Sequence, residues 1–116
     1  MKNKKEKFVI TADDVKSDYA DYTESYAAYL SKHPKELQYY KKHIVEKYNK
    51  TQNEALFLSG MRTVAMAEGK MSQIAKKANI QRTSVYKMLS EDANPSFANV
   101  VHSASVLGIV PNFATV

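Results

Sequence analysis

The sequence contains no cysteine and no tryptophan, and only three glycines and three prolines among its 116 residues. Without cysteine, disulfides and thiolate metal sites are excluded, an absence that suits a reducing cytoplasm without demanding one. Three scattered glycines leave no Gly-rich loop to cradle a phosphate, and no internal repeat or low-complexity tract is present. No apolar run approaches the ~20 residues that cross a bilayer. Phe8–Ile10, behind the basic Met1–Lys7, is too short for the core of a signal peptide. A cytoplasmic protein with no membrane contact is expected.

What is present is ordinary for a soluble globular chain: 44% hydrophobic and 25% charged residues. The length suffices for one compact domain, or for a small domain with a helical arm. Seventeen basic residues against twelve acidic give a formal charge of +5. That balance permits nucleic-acid binding without proving it. Its distribution says more than its sum.

The most informative stretch is Lys70–Leu89, KMSQIAKKANIQRTSVYKML, with five basic residues and no acidic one. It reads as two short helices joined by a tight turn. Met71–Ala78 forms the first, with Ile74, Ala75 and Ala78 facing inward. A small residue such as Ala75 is needed where two helix backbones cross closely at a steep angle. Asn79 occupies the position that requires the left-handed conformation, where Gly and then Asn are favoured. Ile80 plugs the corner, and Gln81 or Arg82 starts the second helix, whose buried stripe is Val85, Met88 and Leu89. Arg82, Thr83, Ser84, Tyr86 and Lys87 face the other way. A face of that chemistry fits phosphates and base edges.

The N-terminal half has a different character. Met1–Lys7 is a basic tail, read either as a DNA-backbone arm or as a frayed terminus. Thr11-Ala-Asp-Asp14 resembles a helix start. Asp13–Glu24 holds five acids against Lys16 alone. Tyr19, Tyr22, Tyr26, Tyr29 and Leu30 recur at helical spacing and mark an amphipathic helix over Asp18–Lys32. A tyrosine stripe is commonly core, yet seven tyrosines before residue 50 are many for one small core, and tyrosine also suits interfaces. His33-Pro34 ends that helix. Pro34 then begins another over Lys35–Asn49, with Leu37, Tyr40, Ile44 and Tyr48 as its stripe. His43 and Glu46 share a metal-site spacing but lack a second such pair, so an ordinary surface pair is expected.

Thr51-Gln-Asn-Glu54 matches a capping box opening a helix over Gln52–Glu68, with Leu56, Phe57, Met61, Val64 and Ala65 buried and Gly69 as its left-handed cap. After Leu89 a polar loop leads to Ser96, read as the N-cap of a last helix carrying Phe97, Val100, Val101, Ala104 and Leu107 and stopped by Gly108. Pro111 forbids a long further helix.

The spacing of the two-helix stretch resembles the lambda-repressor-like, or XRE-type, helix-turn-helix. The pieces MSQIA, SVYKMLSE and NPSF, with the apolar helix that ends at LGI, look like the antidote proteins of bacterial addiction modules, the Hig-type antitoxins. The resemblance covers the last half to two-thirds of the chain. It implies a lambda-repressor-like helix-turn-helix domain over 51–116; the helical stripes before it add an N-terminal helical arm over 1–50, in which the chain departs most from short antidotes, and the expected fold is all-α. It also implies a RelE/HigB-like toxin as partner and an autoregulated operon. The acidic island at Asp13–Glu24 would then meet a basic toxin, or else is a solvated helix face.

Position by position, the resemblance puts Arg82 and Thr83 at the groove-entering end of the recognition helix, one turn before Lys87. Arginine can grip guanine through two hydrogen bonds, and the threonine methyl can touch thymine. Ser84, Tyr86 and Lys76 suit phosphate, and Gln73 stands beside the amide end of the first helix, a natural phosphate seat. With Gln81 these make the expected DNA-binding set. Tyr19, Tyr22, Tyr26 and Tyr29 make the expected partner-binding set. The sequence thus points to a homodimeric, nucleoid-associated repressor of double-stranded operator DNA that serves as an antitoxin, without cofactor, metal or catalysis. Two readings compete with it: a phage-type or mobile-element repressor without a toxin, and an interaction module in which the Tyr-rich arm does the work.

Overall fold

The computed structural model describes residues 23–90 and 92–109, and every regular element among them is helical. Residues 23–31 form α1. The others are α2 Pro34–Thr51, α3 Glu54–Glu68, α4 Met71–Ala78, α5 Arg82–Met88 and α6 Phe97–Leu107. The all-α expectation holds. The basic tail, the helix start at Thr11, the acids before Glu24, Tyr19, Tyr22 and Pro111 lie outside the described residues.

One apolar cluster joins the helices, from Leu30 in α1 through Leu37, Ile44 and Tyr48 in α2 to Leu107 and Ile109 at the end of α6. Met61 and Val64 of α3, Ile74 of α4 and Val85 of α5 are fully enclosed within it. α2 packs along α3, α4 packs against both α5 and α6, and α6 returns to α3. Gly60 is the residue that lets α2 and α3 meet. A Cβ built there would stand 2.7 Å from Ile44 Cγ2, well inside contact distance. Glycine inside a helix costs about 1 kcal/mol against alanine. Here the close approach of two helices offsets that cost.

The helix ends follow local chemistry. α1 closes at His33, whose Nδ1–H donates to the Tyr29 carbonyl at 2.7 Å, and Pro34 starts α2. Gly69 and Gly108 take left-handed φ values of 65° and 69° and close α3 and α6, as their positions predict.

The capping box is corrected. α2 runs on through Thr51, so Thr51 is helical and its hydroxyl turns back to the Lys47 carbonyl at 2.9 Å. Asn53 caps α3 instead, its side chain accepting from the Leu56 N–H at 3.1 Å. Gln52 between them is left-handed, with φ 56°, and returns its N–H to the Tyr48 carbonyl at 2.7 Å. Glu54 thereby falls in the first turn, where a carboxylate suits the positive helix end. Three apolar residues also depart from expectation: Leu56 is 48% exposed, Phe97 66% and Val101 37%. Leu56 and Phe97 stand near the start of their helices, ahead of the buried stripe, and Val101 lies off the stripe of Ala104 and Leu107.

Candidate nucleic-acid interface

α4 is amphipathic by position. Met71, Ile74 and Ala75 are buried, while Ser72, Gln73, Lys76 and Lys77 are exposed. Its end is a left-handed corner. Asn79, at φ 58° and ψ 49°, returns its N–H to the Lys76 carbonyl at 3.2 Å, and the Ile80 N–H reaches the Ala75 carbonyl at 3.0 Å. These two bonds satisfy carbonyls that an α-helix leaves without amides of its own. Ile80 packs half-buried against the core. Gln81 is extended, and its carbonyl takes the Ser84 N–H at 2.9 Å to start α5. The turn is therefore three residues long, Asn79 to Gln81.

α5 buries Val85 and Met88, with Leu89 beyond its end, and nothing else is fully enclosed on it. Gln81, Arg82, Thr83 and Lys87 are exposed, and Ser84 and Tyr86 are half-buried. Of the residues expected from the sequence, Gln81, Arg82, Thr83 and Lys87 thus stand exposed at α5, with Gln73 and Lys76 exposed on the helix packed against it, whereas Tyr86 packs half-buried against the core. The carboxylate ahead of α4 is turned away. Glu68, 13% exposed, pairs with Lys41 of α2 at 3.0 Å and with Lys70 at 3.4 Å. A buried carboxylate without such partners would carry a heavy desolvation cost. The cationic face of α4 and α5 consequently has no acid of its own to neutralise it.

Arg62 was not legible as a site residue. From the middle of α3 its Nη1 donates to the Tyr86 carbonyl at 2.9 Å. Its guanidinium carbon lies 5.4 Å from the centre of the Tyr86 ring, and that of Arg82 lies 5.9 Å from the same centre. The available signal was a lone charge in an apolar run: Arg62 is the single charged residue of α3 between Glu54 and Glu68.

The tyrosine arm is partly in view. Tyr26 is half-buried, stacked on Tyr29 at 6.0 Å and edge-on to Tyr40 at 5.3 Å. Tyr29 is 45% exposed and stacks on His33 at 4.0 Å. Tyr39, on the next helix, is 72% exposed. His43 and Glu46 are both at the surface, and no group of three potential metal ligands occurs among the described residues. Tyr48, away from α5, has its hydroxyl pKa raised by burial and then by the nearby Glu54 charge.

Residues 11–115 match the family described as "probable addiction module antidote protein". The chain belongs to that family. Antidotes are the antitoxin members of toxin–antitoxin modules, which is the role this membership supports. One relative, an uncharacterized protein of Haemophilus influenzae, is 38% identical over 74 residues, spanning 64% of this antidote and 71% of its own length. No solved structure matches the chain. No described helix of the antidote is long and apolar enough to cross a membrane.

Proposed function

We propose that this antidote is a DNA-binding antitoxin of a type II module: a homodimer that holds a RelE/HigB-like toxin through its N-terminal helices and represses its own operon with α5. The observation that carries the DNA half is the acid-free outer face of α5, where Arg82, Thr83 and Lys87 stand exposed behind the left-handed corner at Asn79. A helix presented on such a corner, with α4 crossing behind it, has the shape that enters a major groove. Arg82 is assigned to guanine and Thr83 to a thymine methyl, with Gln81 and Lys87 flanking them. Gln73, Lys76, Ser84 and Tyr86 are assigned to the backbone, where contacts set register.

A single helix of seven residues reads few bases. Two copies on half-sites about 34 Å apart multiply the discrimination, which is the argument for a dimer. The toxin half rests on family membership and on the exposed aromatic surface of the arm, with Tyr29 and Tyr39 open to a partner and Tyr26 stacked on Tyr29. On this reading 1–50 serves the toxin and 51–116 the operator, and the chain catalyses nothing.

Co-expression tests the two halves together. With the protein encoded beside it, the full chain should relieve growth arrest and silence a reporter driven by its own promoter. Arg82→Ala should abolish silencing and leave relief of arrest intact. A reporter equally silenced by the variant would remove α5 from the operator, and arrest that the wild-type chain fails to relieve would remove the toxin partner.

A further inference from the structure

Arg62 and Arg82 are the two arginines of a chain that otherwise draws its positive charge from fifteen lysines. Both lie within 6 Å of the centre of one ring, that of Tyr86. Guanidinium is planar, weakly hydrated and suited to aromatic faces, which lysine's ammonium matches less well. We infer that Arg62 is a positioning residue for α5: through the carbonyl and ring of Tyr86 it sets the aim of the Arg82 guanidinium. The inference rests on the DNA-reading role proposed for α5.

α5 needs such support. It has seven residues, no side-chain bond at its N-cap and no acid in its first turn. A helix that short is not stable by itself, so its geometry is set by what it packs on. Val85, Met88 and Leu89 fix its inner side but leave its rotation and its last turn to be held elsewhere. Tyr86 contributes one of the last carbonyls of the helix, for which a helix has no amide of its own, and Arg62 donates to it at 2.9 Å. A cation there also meets the negative end of the helix dipole.

Arg62 is a rigid base for this bond, because its neighbours Met61 and Thr63 are buried in α3. Its charge beside the ring has a second effect. Arg82 precedes Tyr86 by four residues, one helical turn, and lies on the same ring. The Arg62 charge opposes any movement of the Arg82 guanidinium toward the Tyr86 carbonyl, and Arg82 stays exposed, 5.9 Å from the ring centre. Among the described residues no carboxylate pairs with either arginine. Arg62 itself is half-buried with one nitrogen already donating, which favours positioning over a phosphate contact. Tyr86 then positions Arg82 through its ring and carbonyl, and its hydroxyl is left for the phosphate contact assigned to it.

The test uses the full chain with Arg62→Met, Tyr86→Leu and Tyr86→Phe. The first readout is 15Nε relaxation of the arginine side chains without DNA, where two arginines give two signals. The second is affinity for the promoter and for a scrambled duplex across a salt series. Arg62→Met and Tyr86→Leu should loosen Arg82 and lower the promoter preference about tenfold at unchanged salt slope, as loss of one oriented base contact would. Tyr86→Phe keeps the ring and the carbonyl, and should leave Arg82 ordered and the promoter preference intact, its one loss being the phosphate contact, which weakens both duplexes alike. Should Arg62→Met unfold, Arg62→Lys keeps the charge and loses the fork, and should loosen Arg82 in the same way. An Arg82 equally ordered without Arg62 overturns the inference. So does a salt slope that falls by about one, the mark of a lost phosphate contact. If the wild type itself prefers no duplex, the DNA reading fails, while the relaxation of Arg82 still decides whether Arg62 positions it.

Discussion

Asn79 holds the corner between α4 and α5 at φ 58°, a conformation that places a Cβ against the following carbonyl and costs an L-residue about 1–2 kcal/mol. Asparagine tolerates it because its short amide can hydrogen-bond locally; a β-branched side chain has no such relief. Asn79→Gly should therefore keep or slightly raise the unfolding midpoint, whereas Asn79→Val should lower stability by about 1–2 kcal/mol in urea titration. Equal stability of the two variants would mean that the corner is not constrained as its dihedrals imply. Asn79, Gly69 and Ser96 were legible in the sequence because each acts on amides within a few positions of itself. Ser96 accepts the Asn99 N–H at 3.1 Å, as its place before an apolar run predicts. Arg62 was not legible, because its partner lies 24 residues away and only packing brings the two together.

Helices add a different kind of constraint. The stripes Leu37, Ile44 and Tyr48 in α2 and Phe57, Met61 and Val64 in α3 were readable from their periodicity. That they face each other across Gly60 was not. Gly60→Ala would set a methyl 2.7 Å from Ile44 Cγ2, whose branched side chain has little room to turn. The substitution should destabilise by about 1–3 kcal/mol through overpacking. In an Ile44→Ala background the same change should cost nothing or recover up to about 1 kcal/mol of helix propensity. Purely additive losses in the two-variant cycle would contradict the proposed contact. The misplaced start of α3 has a related origin. Thr51-Gln-Asn-Glu54 satisfies the capping-box pattern, but α2 continues through Thr51, whose hydroxyl accepts from the Asn53 N–H at 3.2 Å, ahead of α3, and leaves the cap itself to Asn53. Local pattern lost there to the length of the preceding helix.

At the scale of the molecule, one continuous core runs from Leu30 to Ile109. The described tyrosines of the arm and the cationic helix pair are thus fixed to the same body. Both surfaces were visible as composition: tyrosine before residue 50, and lysine and arginine without acids from Lys70 to Leu89. The family was visible as well, in the short pieces around α4, α5 and α6. The sequence did not separate the tyrosines that pack from those that stay open. Tyr26 and Tyr29 share one stripe, yet the first is half-buried against the core and the second is 45% exposed. On the proposed function the molecule joins an operator-reading end to a toxin-holding end. The net charge of +5 then assists approach to DNA and makes binding dependent on salt.

The measurement that bears most directly on the operator claim is titration of the purified chain, and of Arg82→Ala, with its own promoter duplex and a scrambled duplex of equal length. The account predicts that the wild type prefers the promoter, that binding to both weakens as salt rises, and that Arg82→Ala loses about 1–3 kcal/mol on the promoter alone. Equal wild-type affinity for the two duplexes, or an Arg82→Ala variant that keeps the full preference, would contradict the account.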